Sequence, residues 1–181
     1  MIYSVGVVEL KSIAKGIEAT DDALKSAGIR LVTAHTACPG KYEIILTGEL
    51  ADVQTAVDRI KARYTSGVID AVMLGRIEES VVYALLGSST TTRREAIGIV
   101  ETFSAASAIK AADTAVKTAD VEIYDMRISR GQGGKGVVIF TGHVSDVTAA
   151  VEAGSRYAEE QGLLHGSSVL ANPHPDVWEH L

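Results

Sequence analysis

Residues 5 to 29, VGVVELKSIAKGIEATDDALKSAGI, reappear 92 positions later as IGIVETFSAASAIKAADTAVKTADV at 97 to 121. Beyond one loop the match resumes. KYEIILTGELADVQTAVD at 41 to 58 answers KGVVIFTGHVSDVTAAVE at 135 to 152, now 94 positions apart because the second loop is two residues longer. Residues 5 to 38 share 11 of 34 positions with 97 to 130, and the later block shares 8 of 18, more than composition alone supplies. A tandem duplication limits the fold to one supersecondary plan built twice. The stretch GSSTTTRRE at 87 to 95 carries no apolar residue and separates the copies. Domains are therefore expected at 1–88 and 95–181, with the linker at 87–95.

Within each copy the pattern predicts strand, helix, strand, strand, helix, strand, short helix. The first strand is VGVVEL at 5 to 10 and IGIVET at 97 to 102. Ile13, Ile17, Leu24 and Ala27 then recur near a period of 3.6, as do Ile109, Ala112, Val116 and Ala119, and each set predicts a helix. IRLVTAHTA, a tight loop and KYEIILTG read as a hairpin. The second helix carries Leu50, Val53, Val57, Ile60 and Tyr64 on one stripe, answered by Val144, Val147, Val151 and Ala158. Fourth strands are expected at 68 to 76 and 163 to 171, and Pro175 is placed to open a short C-terminal helix. Four strands with two main helices on one face make an α+β layer sandwich.

Composition narrows the function. The 181 residues are 46% hydrophobic but only 5% aromatic, so the two cores must be built from Ala, Val, Ile and Leu. Acidic residues outnumber basic ones 23 to 17, and a net charge of -6 argues against phosphate-backbone binding and against anionic membranes. The opening MIYSVGVVELKSIAKG has no secretory pattern and no apolar run approaches a membrane span, so a soluble, cytoplasmic protein is expected. A single cysteine, Cys38, excludes a disulfide or a multi-cysteine metal site within one chain.

The copies differ most in the hairpin loop, Thr36-Ala37-Cys38-Pro39-Gly40-Lys41 against Ser129-Arg130-Gly131-Gln132-Gly133-Gly134-Lys135. A local function belongs there. Cys38 stands at the tip of a tight turn, where a thiol is presented more easily than buried. GQGGK lacks the Ser or Thr that must follow the lysine of a phosphate-binding loop, since Gly136 follows Lys135. Histidines 35, 143, 165, 174 and 180 show no zinc spacing, and no catalytic triad or GxSxG elbow is visible.

GVVELKSIAKGIEATDDALK and GIVETFSAASAIKAADTAVK resemble the opening of the bacterial microcompartment (BMC) shell domain, with its A-x-D-x-x-x-K helix. The resemblance continues through TGELADV, TGHVSDV and the closing VLANPHPDVW, and it covers nearly the whole chain twice. It implies two tandem BMC domains, each a ferredoxin-like four-stranded sheet, in a homotrimeric pseudohexamer. Such tiles join edge to edge with other shell proteins of a microcompartment, and Lys25 and Lys117 stand at the family's edge-lysine position. The hairpin loops would surround a central pore, lined by Thr36, Ala37, Pro39 and Gly40 alternating with Ser129, Arg130, Gly131, Gln132, Gly133 and Gly134.

More narrowly, T-x-C-P-G-K is similar to the loop of PduT-type shell proteins, in which three symmetry-related cysteines hold one [4Fe-4S] cluster. The resemblance implies Cys38 as that ligand, one from each chain, with electron transfer or pore gating as the role and an encapsulated redox enzyme as a partner. The Gly40 amide would donate to a cluster sulfide. Arg130 replaces the cysteine in copy two, and Gly75-Arg76-Ile77-Glu78 in copy one lacks the Pro-His of copy two. A structural, non-catalytic protein is therefore expected. The alternatives are a trimeric small-molecule-binding regulator on a ferredoxin-like scaffold, and a cysteine enzyme, for which His35 is expected on the opposite strand face from Cys38.

Overall fold

A computed structural model describes residues 4–129 and 131–181. The first compact unit is the chain up to Ile77, together with Ser104–Ala106 and Ser129–Gly134. Its sheet comprises β1 (Ser4–Leu10), β2 (Arg30–Ala37), β3 (Lys41–Gly48) and β4 (Val68–Leu74), in the order β2-β3-β1-β4 and antiparallel throughout. Helices α1 (Ile13–Ser26) and α2 (Leu50–Arg63) cross over between strands. Alternation along the strands sends Val8, Leu10, Ile44 and Leu46 to the helix side, where they pack with Ala19, Ala23, Val53, Ala56, Val57 and Ile60. Asp22 ties the two helices together by accepting from Arg59 at 2.7 and 2.9 Å and from Arg63 at 2.9 Å.

The second unit comprises Glu78–Phe103, Ser107–Ile128 and Lys135–Leu181. It opens with α3 (Glu79–Leu85), which packs on β6 (Val121–Ile128). Strands β5 (Ala96–Thr102), β6, β7 (Gly136–Gly142) and β8 (Leu164–Leu170) form the order β6-β7-β5-β8. α4 (Ala105–Thr118) and α5 (Val144–Glu160) supply the crossovers.

The duplication extends to irregularities. β2 slips register between Leu31 and Thr33, and β6 slips at the corresponding place, between Ile123 and Asp125. The first strands slip alike, between Glu9 and Leu10 and between Glu101 and Thr102. Bulges are positional features of a fold, so their repetition marks one plan used twice.

Two features go beyond what the sequence predicts. Ile13, Ile17 and Leu24 predict helix α1, but they are not its buried face. They are 39%, 55% and 40% exposed, while Gly16, Ala19, Thr20 and Ala23 face inward. The cause is Tyr42, whose ring lies where a side chain at Gly16 would stand, 2.3 Å from its Cβ position. Helices also do not stay on one side of the second sheet. The short α6 (Pro175–Trp178), with Pro175 in its first turn as expected, sets Trp178 against Ile97 and Ile139, on the face away from α5. Among the described residues no helix is long and apolar enough to cross a membrane.

Candidate functional site

β2 ends at buried Ala37, and the chain reverses through Cys38, Pro39 and Gly40 into Lys41 of β3. Gly40, at φ +94°, donates its amide to the Ala37 carbonyl at 2.9 Å and closes the turn. The amide is thus spent on the turn, contrary to the outward-facing donor expected from the sequence. The Cys38 side chain is exposed, and its backbone N–H donates to the Ser129 carbonyl at 3.3 Å.

Ser129 and Gly134 complete this arrangement. Ser129 is buried and holds φ +59°, a conformation rare for a residue with a side chain. Gly134, at φ +82°, presses so closely on the turn that a Cβ there would lie 2.2 Å from the Cys38 carbonyl oxygen and 2.7 Å from Pro39 Cδ. Lys41 Nζ donates to the Gly134 carbonyl at 2.9 Å. The structure therefore gathers Ala37, Cys38, Pro39 and Gly40 with Ser129 and Gly134. Thr36 stands just before, in β2 opposite Tyr42, and Gly131, Gln132 and Gly133 form the intervening turn. Arg130 lies outside the described residues.

Behind the turn lies a row of ionisable side chains that the sequence reading missed. Cross-strand register sets His35 beside Glu43, Glu43 beside Glu9, and Glu9 beside Asp70, one from each strand of the sheet. Glu9 and Glu43 are fully buried and Asp70 nearly so. Glu9 Oε1 accepts the Ala105 N–H at 2.8 Å, Ser104 donates to Asp70, and Ser129 Oγ lies 2.5 Å from Glu43 Oε2 and 3.3 Å from Glu9 Oε1. Lys41 Nζ stands 3.6 Å from Glu9 Oε2, and His35 Nε2 3.7 Å from Glu43 Oε1. Those two oxygens have no hydrogen-bond partner among the described residues. Burial pushes the Glu9 carboxyl up to about 7, against the pull of Lys41 and the Ala105 N–H and with the push of Glu43 and Asp70.

A charged residue within an apolar strand was the available signal, at Glu9 in VGVVEL and Glu43 in KYEIIL. Copy two keeps only part of it. Glu101 pairs with Lys135 and lies 3.7 Å from His165, but Val137 and Gly166 stand beside it where Glu43 and Asp70 flank Glu9.

The two edge-lysine candidates each pair with the aspartate of their own A-x-D-x-x-x-K motif, Lys25 with Asp21 at 2.6 Å and Lys117 with Asp113 at 2.7 Å. Lys25 is the more exposed. His35 is engaged by Thr33 Oγ1 at 3.0 Å and faces Glu43. Among the described residues no group of three or more His, Cys, Asp or Glu side chains could hold a metal within one chain. One exposed thiol supplies a single sulfur donor. It fits a thiolate-bound iron-sulfur group only if several copies converge.

Comparison with known proteins places this geometry. The model of the BMC domain family matches twice, at residues 4–77 and 96–173. The bacterial microcompartment shell protein PduT of Citrobacter freundii is 40% identical over 181 residues, spanning 100% of this chain and 98% of that protein. The shell protein PduA of the same organism is 39% identical over 87 residues, covering 47% of this chain and 89% of its own, about one repeat. A microcompartment protein from Desulfitobacterium hafniense, solved by crystallography, superposes with a TM-score of 0.82 at 41% identity and full coverage of both chains.

Proposed function

The chain belongs to the bacterial microcompartment shell proteins, structural rather than catalytic components, and from that premise we propose that three copies close into a pseudohexameric tile with one [4Fe-4S] cluster on its axis. The observation that carries this reading is the exposed Cys38 thiol on a turn fixed by Gly40, Lys41, Ser129 and Gly134. A closed three-fold arrangement would bring three such thiols together, and a cubane cluster prefers thiolate ligands. When bound, the cluster supplies one-electron chemistry at the centre of the tile, for electron transfer or pore gating.

The chain's own residues present the thiol and define the opening. Residues 36 to 40 alternate with 129 to 134 around the axis, and the exposed side of α1 meets the next copy. Ile17 is exposed while its repeat partner Ile109 is fully buried, so the apolar face of α1 lacks the cover that α4 has. Lys25 and Lys117 lie at the rim and contact neighbouring tiles, and an encapsulated redox enzyme is the exchange partner. A small-molecule-binding regulator is the weaker reading, because Lys135 of GQGGK pairs with Glu101 and Gly134 packs on Cys38.

The test is anaerobic purification with light scattering and with iron and sulfide assays. The expected result is a trimer with one cluster per three chains, and a Cys38→Ser variant that remains trimeric but colourless. Full iron and sulfide in that variant would remove Cys38 as the ligand, and a monomer at all concentrations would remove the tile.

A further inference from the structure

The two copies of A-x-D-x-x-x-K differ in what meets the aspartate. Asp113 keeps only 3% of its side chain exposed; its Oδ1 accepts the Glu78 backbone N–H at 2.9 Å and its Oδ2 the Lys117 ammonium at 2.7 Å. Glu78 is the N-cap of α3, so within the second unit the motif's aspartate holds the segment that follows β4 in the chain. The repeat counterpart, Asp21, pairs with Lys25 and is 62% exposed. The contrast runs along one helix face. Ile13, Ile17 and Asp21 fall four residues apart on α1 and are open to solvent, whereas Ala105, Ile109 and Asp113 are buried at the matching places of α4.

The donor that Asp113 uses also has a counterpart. Val5 pairs with Leu74 and Ile97 with Leu170, so β4 and β8 correspond, and Glu78 and His174 each stand four residues beyond. Each is the N-cap of the helix that follows, with nearly the same backbone, φ −67° and ψ 140° at Glu78 and φ −61° and ψ 142° at His174. Among the described residues no acceptor meets the His174 N–H. We infer that Asp21 accepts the backbone N–H of His174 of the partner subunit, so that the start of α6 in one copy is held by α1 of the next as Glu78 is held by Asp113. The contact rests on the closed assembly proposed above but not on its cluster. It divides the motif's work: the aspartate receives the neighbouring copy, and the lysine keeps its access to solvent, as Lys117 does at 37% beside buried Asp113.

The test follows trimer dissociation of iron-free, reduced, full-length protein by analytical ultracentrifugation. His174→Pro deletes the N–H without disturbing the chain path, since φ −61° is a proline angle, and Asp21→Ala deletes the acceptor. Each should raise the dissociation constant per interface by about tenfold to a hundredfold, the range for a hydrogen bond to a charged group. The double variant should lose no more than the weaker of the two singles, because both remove one interaction. His174→Ala, which keeps the N–H, should associate like the wild type. A trimer unaffected by Asp21→Ala or by His174→Pro, multiplying losses in the double variant, or an equal loss in His174→Ala would overturn the contact and leave the tile standing. A wild type that is monomeric at all concentrations would overturn both. Should a variant fail to fold, a crystal structure of the wild-type assembly decides. Asp21 Oδ within about 3.5 Å of the backbone nitrogen of His174 of the partner subunit supports the contact, and a longer separation overturns it.

Discussion

Gly134 shows how tightly single positions govern the candidate site. Its φ of +82° already disfavours any side chain, and an added Cβ would meet the Cys38 carbonyl 2.2 Å away, far inside contact distance. Gly131 has a similar φ, +72°, but open space around its Cβ position. Gly131→Ala should therefore cost only left-handed strain, about 1–2 kcal/mol, whereas Gly134→Ala should cost more and displace the Cys38 turn. Urea unfolding of both variants, with thiol alkylation rates at Cys38, checks the contrast, and equal losses would refute it. Cys38 and the glycine loop were legible because turn chemistry is local in sequence. Glu9 was not, because what buries it is remote: the amide it accepts lies 96 residues away and the hydroxyl beside it 120 away. A glutamate in a strand otherwise reads as a solvent-facing position.

At the level of elements, period and punctuation revealed the order of strands and helices in both copies, but not which side of a helix faces in. The 3.6-residue stripe of Ile13, Ile17 and Leu24 marks α1 correctly as amphipathic, yet the buried side is made of Gly16, Ala19, Thr20 and Ala23. Small residues win the sheet contact because Tyr42 fills the space, a fact held in a strand 26 residues downstream of Gly16. The displaced stripe is then apolar surface in search of cover. If the next copy provides it, Ile17→Glu should weaken assembly while leaving the fold of the chain nearly untouched, within about 0.5 kcal/mol as for other surface changes. Light scattering beside thermal melts separates the two effects. A trimer of undiminished stability in Ile17→Glu would show that this face is not the seam.

Across the whole molecule, the two copies keep strand order, register and bulges but have diverged in charge. The first sheet buries three carboxylates in a row, and the corresponding place in the second holds Glu101 alone, paired with Lys135. That difference gives the first copy a pH dependence that the second does not share at this place in the sheet. Glu9 is raised by burial from its ordinary 4.5 to about 7, so the folded chain binds its proton more tightly than the unfolded chain does. The stabilisation is complete below pH 4.5, declines as pH rises through 7 and is flat above. With about 1.36 kcal/mol per unit, the loss is on the order of 3 kcal/mol. Asp22 and Glu95, held low by hydrogen bonds from Arg59 and Arg93, act in the opposite sense and at lower pH, since their contribution disappears as pH falls through their depressed values. Between about pH 5 and 7 the buried glutamate should therefore set the trend. Urea unfolding of iron-free protein should show the wild type losing stability over that window relative to Glu9→Gln, with the difference between the two constant above about pH 7.5. Parallel curves for the two proteins across the whole range would mean that Glu9 takes up no proton on folding.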